Sequence, residues 1–143
     1  MNFLSGMKIP GLRAADETVQ GLIHFGRMLD KIRLEQAGTL PEGYFLGDGD
    51  PGWWDSRCCR FLRVNYEELA DEVRKGIDDD TALEWCFTNG RQPNEEEIEI
   101  WSTFIRKRGW RDESGLQAEK EASGFGDRDD IRTYVDLFKA EEA

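Results

Sequence analysis

The residues best suited to chemistry stand together in WWDSRCCRFLRV, at positions 53–64. Cys59 lies near the predicted start of a short helix and has arginines on either side in the sequence. A helix N-terminus and nearby arginines lower the pKa of a thiol and create a nucleophile or redox sensor. Asp55 opposes that effect. We predict Cys59 as a reactive thiol on the exposed side of the helix, and Cys58 as a buried neighbour.

A nucleophilic enzyme also needs a general base, and the chain has a single histidine, His24. It falls on the flank of the predicted first helix, where we expect a partly exposed surface group. The enzyme hypothesis uses Cys59, His24 or a carboxylate such as Asp55. Its cleft would lie beside the loop that carries Trp53 and Trp54. These residues leave open whether the protein is an enzyme.

A second possible site combines arginines with aromatic rings. Guanidinium groups bind carboxylate or phosphate in fork geometry, and indole rings supply flat apolar walls. A pocket for a small anionic ligand is therefore chemically coherent. The residues predicted to bind that ligand are Arg27, Arg33, Trp53, Trp54, Arg57 and Arg60. The alternative interpretation pairs these arginines with nearby carboxylates and places Trp54 in the core.

Metal sites are weakly indicated. The three cysteines and the histidine add up to four zinc ligands, but Cys58 and Cys59 are adjacent and lack the spacing of a zinc site. The alternating aspartates of residues 48–52 resemble a calcium loop only in part, because the glycine comes too early and follows a proline. We predict no metal and no cofactor.

Composition limits the partners and the compartment. The chain has 143 residues, 38% of them hydrophobic, and a net charge of −11. This acidity argues against nucleic acid and anionic membranes, although residues 106–111 (RKRGWR) form a short basic cluster. No apolar run is long enough to span a membrane, and Met1 to Pro10 lack a signal-peptide core. An odd cysteine count suits a reducing compartment, so we predict a cytoplasmic protein.

A length of 143 residues fits one domain, residues 1–143, and helix-start signals divide it into elements. These signals predict a first helix from Asp16 to Gly38, a short turn capped by Asp55, and helices capped by Asn65, by an aspartate of residues 78–80 and by Asn94. A weaker helix is predicted over 113–123 and a last one from Asp129 to about Ala140. We predict an all-α fold, a compact bundle of about five to six helices with one long Gly/Pro-rich loop at residues 39–54.

Five segments together carry a family resemblance: KIPGL, GRMLDKIR, RCCRFL, EWCFTNGRQPNEEEIEIWSTFIRKRGWRD and DRDDIRTYVDLF. The chain resembles a family of small uncharacterised bacterial proteins known as a domain of unknown function. The resemblance implies a stand-alone, intracellular, single-domain protein. It brings no activity or catalytic residues with it.

The leading functional hypothesis is a non-catalytic binder of a partner protein or a small anionic ligand. No nucleophile, base and orienting group stand in a recognisable arrangement, while the helical scaffold is well specified. The first alternative is a small enzyme or redox sensor that uses Cys59. The second is a structural or assembly protein. Apolar helix faces do not reveal the oligomeric state, which stays open.

Overall fold

The computed structural model describes residues 8–111 and 115–143, and it confirms a mostly α-helical fold. The described part contains seven helices and one small hairpin. The strands are β1 (Thr18–Val19) and β2 (Leu22–Ile23). The helices are α1 (Phe25–Gln36), α2 (Trp54–Leu62), α3 (Tyr66–Val73), α4 (Asp79–Asn89), α5 (Glu95–Lys107), α6 (Leu116–Ala122) and α7 (Tyr134–Glu141). No helix in this part is long and apolar enough to cross a membrane.

The prediction of one helix from Asp16 to Gly38 was wrong in its first half. Strands β1 and β2 pair antiparallel, with Val19 opposite Leu22. The two turn residues, Gln20 and Gly21, have φ values of 49° and 82°, the left-handed conformation that two-residue hairpin turns favour. A continuous helix is therefore broken before residue 25.

The helix caps of the middle of the chain are confirmed. The Asn65 side chain accepts from the Glu68 N–H at 3.0 Å, and Asp78 caps α4 in the same way. Asn94 and Glu97 form a complete capping box at the start of α5. These short-range hydrogen bonds satisfy backbone donors that helices leave free at their first turn.

Two predicted helix starts were misplaced. Asp55 does not cap α2, because Trp53 is the N-cap residue and the Asp55 carboxylate turns into the protein interior. The last helix begins at Tyr134 and not at Asp129, with Thr133 as its cap. Of the weak helix predicted over 113–123, residues 113 and 114 lie outside the described residues. The remaining range, 115–123, differs from the observed α6 by one residue at each end.

The hydrophobic core has two parts. The larger part joins the hairpin to α1 through α5, with Phe25, Met28 and Leu69 completely buried. The smaller one joins α6 and α7 through residues such as Leu137. The N–H of Tyr134 donates to the carbonyl of Arg108 at 2.9 Å, so the start of α7 is attached to the end of α5. This attachment places α7 beside a cavity that α1 and α2 also line.

Candidate functional site

A cavity of about 350 Å³ lies where the hairpin junction, α1, α2 and α7 meet the loop of residues 43–53. Its volume is within the range of small-molecule pockets. The aromatic residues that line it are Tyr44, Phe45, Trp53, Trp54, Tyr134 and Phe138. The charged or titratable residues are His24, Arg27, Lys31, Asp55, Arg57, Arg108, Glu119, Glu141 and Glu142.

His24 occupies the junction between the hairpin and α1, where the backbone is held from behind. Ile23, the preceding residue, accepts a hydrogen bond from Trp101 Nε1 at 3.0 Å and donates its N–H to Ser102 Oγ at 3.2 Å. The Ser102 hydroxyl in turn donates to the carbonyl of Gly21. Helix α5 therefore fixes the hairpin, and with it the position of His24.

The central polar group of the site joins His24, Lys31 and Asp55. Asp55 Oδ1 lies 2.7 Å from His24 Nε2 and 2.9 Å from Lys31 Nζ, and Asp55 Oδ2 accepts from the Gly47 N–H at 2.8 Å. Lys31 Nζ also donates to the carbonyl of Phe45 at 2.7 Å. All three side chains are buried, His24 with 3% and Asp55 with 1% of its surface exposed.

The electrostatics of this group favour an ionised aspartate and a neutral histidine. Burial alone would raise the pKa of Asp55, but Lys31, His24 and the Gly47 N–H outweigh burial and hold that pKa below its usual range. Burial lowers the pKa of His24 more than Asp55 raises it, and Lys31 and Arg27 lower it further. Burial also lowers the pKa of Lys31, against the attraction of Asp55.

The neutral state defines which nitrogen of His24 carries the proton. An ionised carboxylate can only accept, so Nε2 donates to Asp55 and Nδ1 keeps a lone pair. Nδ1 is buried and has no hydrogen-bond partner among the described residues. The Trp54 indole packs edge-to-face against the imidazole, with 5.6 Å between ring centroids.

A second ion pair closes the side of the cavity near α7. Arg27 makes two hydrogen bonds to the Glu142 carboxylate, and Tyr44 donates to the same carboxylate at 2.9 Å. The Arg27 guanidinium also lies 5.8 Å from the ring centre of Phe138. Arg27 is therefore neutralised by its partner and supports the wall of the cavity.

Arg57, on the first turns of α2, differs from Arg27 in its hydrogen-bond partners. Its Nε donates to the carbonyl of Gly52 at 2.9 Å, and no carboxylate of the described residues lies within ion-pair distance of it. Burial lowers the pKa of Arg57, the charges of Arg108 and Arg60 lower it further, and the charge of Asp50 raises it. Positive charge is thus concentrated on this side of the cavity, and in the described residues Arg57 has no carboxylate in direct contact.

The start of α2 adds to this positive potential. Trp53, its N-cap, provides no side-chain hydrogen bond to the first turn. Free N–H groups at a helix N-terminus attract anions. Asp55 lies in the same turn, but its charge is balanced by Lys31.

The loop of residues 43–53 covers the cavity and is attached to the buried group. Phe45 accepts from Lys31 and Gly47 donates to Asp55, both through the backbone. The Phe45 ring, 62% exposed, stacks on Trp53 with 4.8 Å between centroids. The loop therefore places aromatic rings at the opening of the cavity, while its backbone contacts the buried Lys31 and Asp55 side chains.

The cavity brings together four of the six residues predicted to bind a ligand: Arg27, Trp53, Trp54 and Arg57. It does not include Arg33, which pairs with Asp79 at 2.9 Å, or Arg60, which is exposed on α2. Trp54 is half-buried and lines the cavity, so it does not belong to the core alone.

The thiol prediction meets a different environment from the one expected. Cys59 is 4% exposed, and its Sγ lies 3.9 Å from Met28 Sδ in the core. Burial, followed by the charge of Asp55, raises the pKa of Cys59. The expectation of an exposed, acidic thiol was wrong, because α2 is covered on more sides than the sequence indicated. Cys58, as predicted, is completely buried.

The expectation that His24 is partly exposed was also wrong. Helix α1 begins at Phe25, so His24 lies just before the helix, and its side chain points inward to Asp55. Sequence reasoning missed Lys31, Tyr44 and Glu142 as cavity residues. One signal was available: in the helix predicted from Asp16 to Gly38, His24 and Lys31 stand seven residues apart and would share a face. In the described residues no three His, Cys, Asp or Glu side chains are grouped to hold a metal ion.

Comparison with known proteins finds a match to a family whose description names no activity. A family model described as Domain of unknown function (DUF5069) matches residues 9–143. No curated protein matches the chain.

Proposed function

The chain belongs to the DUF5069 family, whose description assigns no activity, and from the cavity itself we propose that this protein is a non-catalytic binder of a small anionic aromatic compound. The observation that carries the proposal is Arg57, a cavity arginine without a carboxylate partner in the described residues. A carboxylate or phosphate on the ligand supplies that partner.

The charges of the cavity favour this position for the anion. Lys31 is balanced by Asp55 and Arg27 by Glu142, whereas Arg57 stands beside the uncapped start of α2. Glu119 and Glu141 belong to α6 and α7, so an anion is repelled from that wall and attracted to the wall of α2.

The aromatic lining supports a ligand with a flat ring. Trp53 and Trp54 supply large apolar faces, and Tyr44 and Phe138 continue them into the cavity. Aromatic rings contribute both burial and directional ring contacts. The proposed ligand therefore has its anionic group at Arg57 and its ring between these side chains.

The composition of the lining also supports binding without catalysis. The described cavity residues include no serine, threonine or cysteine, so that lining gives His24 no aliphatic hydroxyl or thiol to activate as a nucleophile. Its hydroxyl groups are the phenols of Tyr44 and Tyr134. The alternative built on Cys59 loses its physical support, since burial keeps that thiol protonated at neutral pH.

Calorimetric titration with benzoate and phenyl phosphate tests the proposal, with uncharged benzamide as the ligand control. Both anions should bind and benzamide should not. Arg57→Gln should weaken anion binding by about tenfold or more, because it removes a charge-assisted hydrogen bond. Arg60→Gln is the matched control, since Arg60 is exposed on the same helix and outside the cavity.

Binding that Arg60→Gln weakens as much as Arg57→Gln would indicate a general charge effect and contradict the proposed site. Failure of the wild-type chain to bind either anion at millimolar concentrations would contradict the function itself.

A further inference from the structure

Three unusual features coincide at His24. Its backbone is left-handed, with φ 72°, although it is not glycine. Its side chain is only 3% exposed, and Nδ1 has no hydrogen-bond partner in the described part of the chain. Backbone strain of this kind persists where the surrounding structure enforces it, and such residues cluster at binding and active sites.

The fold leaves the imidazole little freedom to satisfy Nδ1 by itself. Both backbone groups of Ile23, the preceding residue, are hydrogen-bonded: its carbonyl accepts from Trp101 and its N–H donates to Ser102. At the other end of the side chain, Nε2 is held 2.7 Å from Asp55. A buried acceptor without a partner is destabilising, so an arrangement that enforces one needs an explanation.

The surroundings of Nδ1 restrict which donor can reach it. The positive charges of Lys31 and Arg27 lie near enough to His24 to influence its protonation. Lys31 and Arg27 already have Asp55 and Glu142 as partners, so an ammonium donor at Nδ1 would be buried without a counter-ion, which is costly. A neutral hydroxyl meets the lone pair without that cost.

We infer that Nδ1 of His24 accepts a hydrogen bond from a hydroxyl group of the ligand, which makes hydroxylated aromatic acids the ligand class of this cavity. This inference rests on the proposed function, with Arg57 holding the acid. His24 is almost fully buried while Arg57 is partly exposed. The hydroxyl therefore enters first and the acid stays at the mouth.

Access to Nδ1 depends on Trp54. Nδ1 has almost no surface open to solvent, and the Trp54 indole packs against the same imidazole. Trp54 is half-buried, packs against the hydrophobic core and contacts Tyr134 and Phe138 edge-on. A shift of this indole opens Nδ1 to the ligand hydroxyl, and the ligand ring then packs against Trp54.

The test uses the full-length chain without a histidine tag, because His24 is then the single histidine and gives unambiguous ¹⁵N signals. The probes are 3- and 4-hydroxybenzoate, the corresponding methoxybenzoates, and benzoate. All five carry the carboxylate for Arg57, but only the first two carry the donor. Affinity is measured by calorimetry, and the hydrogen bond by the ¹⁵N shift of Nδ1.

One hydroxybenzoate should bind about tenfold or more tightly than its methoxy counterpart, because it alone pairs the buried acceptor. The same compound should shift Nδ1 upfield while benzoate does not. His24→Asn, in which asparagine tolerates the left-handed backbone, should remove the preference for the hydroxy acid over its methoxy counterpart. The comparison of ligands on the wild-type chain does not depend on this variant folding.

Equal affinities for hydroxy and methoxy acids, with Nδ1 unchanged, would overturn the inference and leave the proposed function in place. Absence of binding by all five acids would overturn both.

Discussion

Nε2 of His24 lies 2.7 Å from Oδ1 of Asp55, and this bond joins the start of α1 to the start of α2 across 31 residues of sequence. Both side chains are buried, and Lys31 shares the same carboxylate oxygen at 2.9 Å. The floor of the cavity is therefore a charged group inside the protein. Its properties can be tested without knowledge of the ligand.

Asp55→Asn should destabilise the fold by roughly 3–5 kcal/mol, because it leaves the buried Lys31 ammonium without its counter-ion. Urea unfolding followed by circular dichroism measures the change. Asp71→Asn is the matched control: Asp71 pairs with Arg74 at 3.1 Å, but its side chain is 72% exposed, and its loss should leave stability nearly unchanged. Equal losses of stability in the two variants would show that the buried ion pair contributes no more to folding than the exposed one, and would contradict this prediction.

The free energy of unfolding should fall as the pH drops from 7 to 5. Burial lowers the pKa of His24 in the folded protein, whereas the unfolded chain takes up the proton near the ordinary pKa of about 6.5. Below that pH the unfolded state binds more protons, so stability present at pH 7 is lost as the pH approaches the folded pKa.

The slope cannot exceed about 1.4 kcal/mol per pH unit for one proton. Urea unfolding at each pH gives the slope, and ¹⁵N NMR of the single histidine gives its pKa directly. In His24→Asn the decline between pH 7 and 5 should be shallower. A His24 pKa above 6.5 would reverse the sign and contradict the neutral assignment.

Ser102→Ala should destabilise the protein by about 1–3 kcal/mol, because the Ile23 N–H and the Gly21 carbonyl both lose their partner. It should also shift the NMR signals of His24, which follows Ile23. Thr103→Ala, at an exposed neighbouring position, is the control for both measurements. Unchanged His24 signals in Ser102→Ala would mean that α5 does not position the histidine.

The thiols should react slowly in the native protein. Cys58, Cys59 and Cys86 are buried, and burial raises the pKa of each, that of Cys86 to about 12. Ellman's reagent should modify none of them faster than free glutathione, and all three after unfolding in urea. Rapid modification of one native thiol would return the redox hypothesis to consideration.

The sequence predicted those elements whose signals are local. The predicted caps, Asn65, an aspartate of residues 78–80 and Asn94, each depend on one side chain that accepts from a backbone N–H three residues later, and each is confirmed, the aspartate being Asp78. The hairpin before α1 escaped prediction because its strands are two residues long and its apolar residues continue the helical spacing of α1. A hydrogen-bonded turn at Gln20 and Gly21 decides the structure there.

The cavity could be predicted only in part. Trp53, Trp54 and Arg57 are close in sequence, and the loop beside them suggested a site. The bond between His24 and Asp55 depends on how α1 packs against α2, which no local pattern encodes. Glu142 reaches Arg27 across 115 residues. Such long-range pairs follow from tertiary packing, and a single sequence contains no signal for them.

A crystal structure with 4-bromobenzoate tests the central claim most directly, because anomalous scattering locates the bromine. We predict that the carboxylate lies within hydrogen-bonding distance of Arg57 and the ring lies against Trp53 or Trp54, inside the cavity. Bromine sites only elsewhere, from crystals soaked at a concentration that saturates the protein in solution, would contradict the proposed binding site.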